Sequence, residues 1–274
     1  MSNADRSQYA EAVTTLSEEE LQDVISVVEQ PACLLGGWAV HLHVTDGFQE
    51  AHGRSYIGSR DIDLGIHIDP EWSVTDLQAA PVATMLDRIE TDLGYSRGRF
   101  GFYQQFQRET GDRLTDEDAR SQPAHNIFRV DIDVIPDTTT LDAFQDTFEF
   151  RPPAEPFLAP VFADEDEPLD DYVSWMAPEA ALIAPAASLA AMKIRAFPKR
   201  DKSHKQLKDI ADLHALLWYT QEYGDMRSAV RDQVPDDNVE TFQAAVSDGL
   251  YLQAAGLIGV DAAIVRQSIE QLFV

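Results

Sequence analysis

The chain has 274 residues and a formal net charge of -27, from 48 acidic and 21 basic side chains. Such a balance argues against nucleic-acid binding driven by overall charge, and 44% hydrophobic residues exclude a disordered acidic chain. The lone cysteine, Cys33, excludes a disulfide framework and a cysteine-based zinc site, and no run approaches the ~20 apolar residues of a membrane span. Met1 to Ala10 is polar and has no apolar core of a signal peptide, so a cytoplasmic location is expected. Lysine is absent outside one short window, and the surface reads as halophilic: at molar salt the Debye length falls to about 3 Å and self-repulsion is weak.

In chain order, Ser17-Glu18-Glu19-Glu20 reads as a capping-box start followed by the apolar stripe Leu21, Val24, Ile25 and Val28, with Pro31 as the stop. Cys33 to Leu35 reads as a buried strand, and Trp38 to His43 begins a helix. Ile62, Leu64, Ile66 and Ile68 alternate with Asp61, Asp63 and His67, the period of a half-buried strand. Thr75 to Leu93 reads as a helix that Pro81 starts or kinks. Arg99 to Gln107 and Ile127 to Ile135 read as strands. Arg151 to Pro178 is rich in proline and carries the acidic run Asp164-Glu165-Asp166-Glu167. It reads as a connection with a short strand near Val173 to Met176. Helices are expected over Ala187 to Phe197, Lys205 to Tyr219, Asn238 to Val246 and Asp261 to Phe273. The expected organisation is an α/β (α+β) domain with a mixed sheet over 15–150, a connection over 151–185 and a mainly helical domain over 186–274.

Two short words carry chemistry. Leu35-Gly36-Gly37-Trp38 ends an apolar run in two glycines, which let a backbone approach a phosphate without a side chain in the way. Arg60-Asp61-Ile62-Asp63-Leu64 places two carboxylates on one face of an extended strand. Adjacent carboxylates repel unless a cation sits between them, and hard oxygen ligands suit Mg²⁺. The pattern resembles the nucleotidyltransferase superfamily built on the polymerase-β-like palm, whose first motif is GG or GS followed by acidic-apolar-acidic. The 23 residues between Gly37 and Asp61 require an extended loop or helix. A third acid is expected on a neighbouring strand. Arg129-Val130-Asp131-Ile132-Asp133 offers two on one face.

Every lysine lies between Lys193 and Lys208, with Arg195 and Arg200 and a single acid, Asp201. A concentrated positive site in an acidic chain suits a polyphosphate; a solvated helix face is the plainer alternative. Lys193, Arg200, Lys208-Asp209 and Asp212-Leu213 form K-x₆-R-x₇-KD-x-x-DL. This is similar to the third motif of the AbiEii-like nucleotidyltransferases, the toxin components of abortive-infection toxin–antitoxin pairs. The resemblance spans about residues 34–217. Aligning Arg129 with a basic residue common before the third acid in AbiEii-like nucleotidyltransferases, which the chain resembles, favours Asp131 over Asp133.

It implies Mg²⁺-dependent transfer of a nucleoside monophosphate from an NTP to a hydroxyl, with two metal ions. Asp61, Asp63 and Asp131 would be catalytic and, with Asp133, ligate metal. Gly36, Gly37, Lys193, Arg200 and Arg60 would contact the nucleotide. Lys208, Asp209 and Asp212 complete the motif, and a salt-bridging role suits the two acids as well as a catalytic one. The implied acceptor is an RNA end such as tRNA, or a protein hydroxyl, and a small antitoxin partner follows from the same likeness. A small-molecule acceptor such as an aminoglycoside stays open, as does a non-catalytic nucleotide- or RNA-binding regulator on the same fold. His41, His43, His67, His204 and His214 read as bland, and Trp38 as core.

Overall fold

The structure is a computed structural model that describes residues 11–163 and 167–274. The expectations at Met1 to Ala10, and the acids at 164–166, lie outside the described residues. In chain order the elements are α1 (Glu11–Ser26), β1 (Ala32–Leu35), α2 (Gly36–His52), β2 (Ile62–Ile66), α3 (Val74–Ala79), α4 (Pro81–Thr91), β3 (Ser96–Arg97), β4 (Gly101–Gln107) and β5 (Arg113–Leu114). There follow α5 (Asp116–Arg120), β6 (Ile127–Pro136), α6 (Asp142–Phe148), α7 (Ala159–Ala163), β7 (Glu167–Pro168) and β8 (Ala181–Ile183). The chain ends in α8 (Ala186–Ala196), α9 (Ser203–Tyr219), α10 (Tyr223–Gln233), α11 (Asp236–Ala245), α12 (Asp248–Ile258) and α13 (Ala262–Glu270). It is a mixed α/β protein with a helical C-terminal region.

Contacts divide the chain into two units. The first combines residues 11–38 with 58–184, and the second combines 39–57 with 185–274. The first is built on an eight-stranded sheet of order β3-β4-β6-β2-β1-β8-β7, with β5 on β4. β2 runs parallel to β6 and β1 parallel to β8, while the other pairs are antiparallel. Alternation in β2 and β6 does what the sequence predicts: Ile62, Leu64, Val130, Ile132 and Val134 are fully buried, and the acids between them are half-buried. Phe102 lies opposite Ile132 and packs on Phe150, which packs on Phe144 of α6, so this aromatic cluster covers the apolar face.

Three local expectations change. The helix at Ser17 begins earlier, at Glu11, so Ser17 is no cap. It is buried, donates to the Arg60 carbonyl at 2.9 Å and accepts from the Trp38 indole at 3.2 Å. Trp38 is core, 1% exposed. Pro81 divides Thr75 to Leu93 into two helices and takes the first position of α4, where its missing N–H costs nothing. The strand expected at Val173 to Met176 forms instead at Ala181–Ile183, whose residues are all buried and ladder with β1. Met176 is 92% exposed.

The second unit is a helical assembly around the C-terminal half of α2 and α9. Its core includes Phe48, Ile210, Leu213, Leu217, Ile258 and Val265. Gly47 lies against the Tyr219 backbone, where an added Cβ would sit 2.5 Å from the carbonyl oxygen. Among the described residues no helix is long and apolar enough to cross a membrane.

Candidate functional site

The sheet brings Gly36, Asp63 and Asp133 together. β1 places Leu35 opposite Asp63, so the chain enters α2 at Gly36 directly beside that carboxylate. Gly36 has φ +62°, in the left-handed region that favours glycine. A Cβ there would lie 1.7 Å from Asp63 Oδ2. Both facts demand glycine, and together they set a carboxylate against the start of a 17-residue helix. On the other side, the parallel register pairs Asp63 with Asp133. Residues directly opposite on neighbouring strands share a face, with strands about 4.8 Å apart. Beyond Asp133 the row continues to Gly101 of β4, where any side chain would strike the Ile132 carbonyl.

Asp61 sits in a bend just before β2, half-buried. Asp131 lies two residues along β6 from Asp133 and is held differently. Arg129 grips one of its oxygens with two N–H groups, Nε at 2.8 Å and Nη2 at 2.6 Å. The residues that precede these acids are also engaged: Arg60 donates to the Arg129 carbonyl and lies over the Phe128 ring.

The four carboxylates expected as metal ligands are therefore not one group. Among the described residues no three His, Cys, Asp or Glu side chains are gathered closely enough to hold a metal ion. The pair Asp63–Asp133 still suits a hard cation, because Mg²⁺ binds through one or two carboxylates and takes its remaining ligands from phosphates and water.

The lysine window folds into the helical unit, where it builds a buried charge network. Lys193 of α8 lies 3.2 Å from Asp209 Oδ1 and 2.7 Å from Asp212 Oδ2, both on α9. Lys208 meets Asp212 Oδ1 at 2.6 Å, one helical turn away. Arg200 Nε donates to Asp209 Oδ2 at 2.8 Å, and the Tyr56 hydroxyl donates to Asp212 Oδ1 at 2.8 Å. Asp212 is fully buried, and Lys193 and Lys208 nearly so. Burial alone pushes the Asp212 carboxyl up, but Lys193 and Lys208 outweigh it and hold the group below the usual carboxylate range. Burial pushes Lys193 down, and the attraction of Asp212 and Asp209 reverses this to a net rise. For Lys208 burial wins, helped by Lys193, and its ammonium is driven below the ordinary lysine value.

So Asp209 and Asp212 bridge the basic cluster, while Lys199 and Lys202 are exposed. Tyr56 carried no sequence signal as a member of this network. Tyr103 escaped notice for a similar reason: nothing in a strand pattern says which residue faces Asp131, and it is Tyr103. His41 hydrogen-bonds Thr45 one turn on, and His214 is core, its Nδ1 2.7 Å from Ser268 Oγ.

No family model matches this chain, and no curated protein does either. Among solved structures it is similar to the crystal structure of an antigenic nucleotidyltransferase-like protein from Paracoccidioides brasiliensis. That similarity is at 12% identity and TM-score 0.37, over 87% of this chain and 95% of the other. At that TM-score the functional reading rests on the chain's own topology and residues.

Proposed function

We propose that the chain is a nucleotidyltransferase, moving a nucleoside monophosphate from an NTP to a hydroxyl acceptor. The observation that carries this is the register of Asp63 opposite Asp133, beside the glycine that opens α2. A backbone start with free N–H groups receives phosphate oxygens, and two in-register carboxylates serve the reacting end. Asp63 and Asp133 would hold Mg²⁺, which when bound would neutralise charge on the phosphates. The acceptor oxygen attacks the α-phosphorus in line with the bond to the bridging oxygen. That bond breaks, pyrophosphate leaves, and the acceptor proton passes to a carboxylate on β6. Asp133 takes this role ahead of Asp131 because the parallel register sets it directly opposite Asp63. Gly37 and Arg60 belong to the nucleotide side. Lys193 and Arg200, expected at the phosphates, are held by Asp209 and Asp212.

The test is incubation with each α-labelled NTP and Mg²⁺, with the chain itself, bulk tRNA and a panel of small hydroxyl compounds as acceptors. Pyrophosphate release and mass analysis of the acceptor are the readouts. Transfer that disappears in Asp63→Asn supports the proposal. The absence of NTP binding in the wild-type chain overturns it, as does equal transfer by the variant.

A further inference from the structure

On the same face of the sheet as Asp133, two residues along β6, lies an aromatic and cationic shelf that the carboxylate site does not use. Tyr103 of β4 is directly opposite Asp131. Over its ring lies the Arg129 guanidinium, with Cζ 4.0 Å from the centroid. Both partners are fixed. The Tyr103 hydroxyl donates to the Asp116 carboxylate, 3.1 Å from Oδ2, and Arg129 is tied to Asp131 through Nε and Nη2. Arg129 Nη1 has no hydrogen-bond partner among the described residues, and the side chain is 45% exposed. Beside the pair the chain carries Gly98, where an added Cβ would lie 3.5 Å from Tyr103 Cδ1 and 3.8 Å from Arg129 Nη2. The φ of Gly98 does not demand glycine, and a Cβ there would touch the edge of the pair at ordinary contact distance, so a longer side chain would crowd it.

We infer that Tyr103 and Arg129 form a stacking platform for a nucleobase, with Gly98 as its open side. A delocalised guanidinium lying on a phenol ring offers a flat π-surface that accepts any base. Its spare N–H donates to a phosphate or base-edge oxygen. The shelf lies about 7 Å along the strand from Asp133, from two residues of rise. In the strand order it is on the far side of Asp133 from Gly36. The base expected there is that of an acceptor nucleotide carrying the attacking hydroxyl; the base of the NTP is the other source of the same chemistry. The inference rests on the proposed function.

Equilibrium binding separates the sources and needs no turnover. The probes are ATP, inorganic tripolyphosphate and a single-stranded hexa-adenylate RNA. The proteins are the wild type, Tyr103→Ala, Tyr103→Phe, Arg129→Met and Gly98→Leu, each checked by circular dichroism. Tyr103→Ala and Gly98→Leu should weaken binding of the RNA by roughly 5- to 150-fold, the span of base–aromatic stacking. Tyr103→Phe, which keeps the ring, should bind nearly as wild type, Arg129→Met should weaken the RNA, and tripolyphosphate should be indifferent to the changes at positions 98 and 103. Loss on the ATP arm alone assigns the platform to the NTP base. Wild-type affinity for both ATP and RNA in folded Tyr103→Ala and Gly98→Leu overturns the platform and leaves the transferase reading intact. A wild-type chain that binds none of the probes overturns both.

Discussion

Removing the charge of Asp212 should destabilise the helical unit strongly. Its two oxygens lie 2.7 Å from Lys193 and 2.6 Å from Lys208, and none of the three side chains is more than 10% exposed. Asp212→Asn keeps the volume and removes the carboxylate. Lys193 retains Asp209 at 3.2 Å, but Lys208, already driven below the usual lysine value by burial, loses its strongest counter-charge. Breaking a buried pair by removing one partner costs about 3–5 kcal/mol, a large part of the roughly 5–15 kcal/mol by which proteins are stable. Urea unfolding followed by helical circular dichroism should show that loss. A second change sharpens the test: Asp212→Asn with Lys208→Met removes the stranded ammonium as well, and should recover part of the loss. The reasoning is refuted if Asp212→Asn alone shifts stability by less than about 0.5 kcal/mol. It is equally refuted if adding Lys208→Met deepens the loss, since the cost would then not be an unpaired buried charge.

Three further outcomes follow. Asp133→Asn should reduce transfer about 10²–10⁴-fold, the usual worth of a positioned acid or base, and more than Asp131→Asn does; the reverse order in steady-state rates would move the third carboxylate back to Asp131. Gly36→Ala forces a Cβ into the left-handed region, at about 1–2 kcal/mol, and into Asp63 Oδ2. It should abolish transfer and lower the melting temperature, while Gly37→Ala, at a position without positive φ, should leave the melting temperature nearly unchanged. Burial pushes the His214 imidazole down to about 4 from 6.5. The unfolded chain therefore binds that proton first as pH falls. The stability His214 permits is whole above pH 6.5 and is lost by about 3 kcal/mol on descending to pH 4. The stability difference between wild type and His214→Phe should vary with pH over that window and be flat above it.

The sheet was legible where alternation was clean. β2 and β6 announce themselves because Ile62, Leu64, Val130, Ile132 and Val134 repeat every second residue, and burial of one face enforces that period. The same rule could not choose between Asp131 and Asp133. Both share a face, and only the pairing of two distant strands decides which lies opposite Asp63. The glycine pair was readable as a tight backbone passage, but the contact of Gly36 with Asp63 belongs to tertiary register. The lysine window was legible as a cluster but not in its burial. Clustered lysines normally mean a wetted surface. Here Lys208, Asp209 and Asp212 lie on the side of α9 that packs on α8, where Lys193 waits. Helices α10 and α12 were missed because Gly224, Gly249 and Gly256 dilute their local preference, which tertiary packing of Met226, Val230, Tyr251 and Ala254 overrides. Ser17 looked like a cap because a hydroxyl before glutamates usually is one; its partners come from Trp38 and Arg60, far along the chain.

The unequal burial of the lysines turns this chain into its own chemical reporter. All lysine ε-amines fall between positions 193 and 208. Lys199 and Lys202 face solvent, Lys205 is half covered, and Lys193 and Lys208 are closed off in ion pairs. An amine-selective acylating reagent should therefore modify the native protein at 199 and 202 first, and reach 193 and 208 only when α8 and α9 separate. The ratio of modification at 208 to that at 202, read from a single peptide map, would record the opening of the helical unit without a spectroscopic probe or an introduced label.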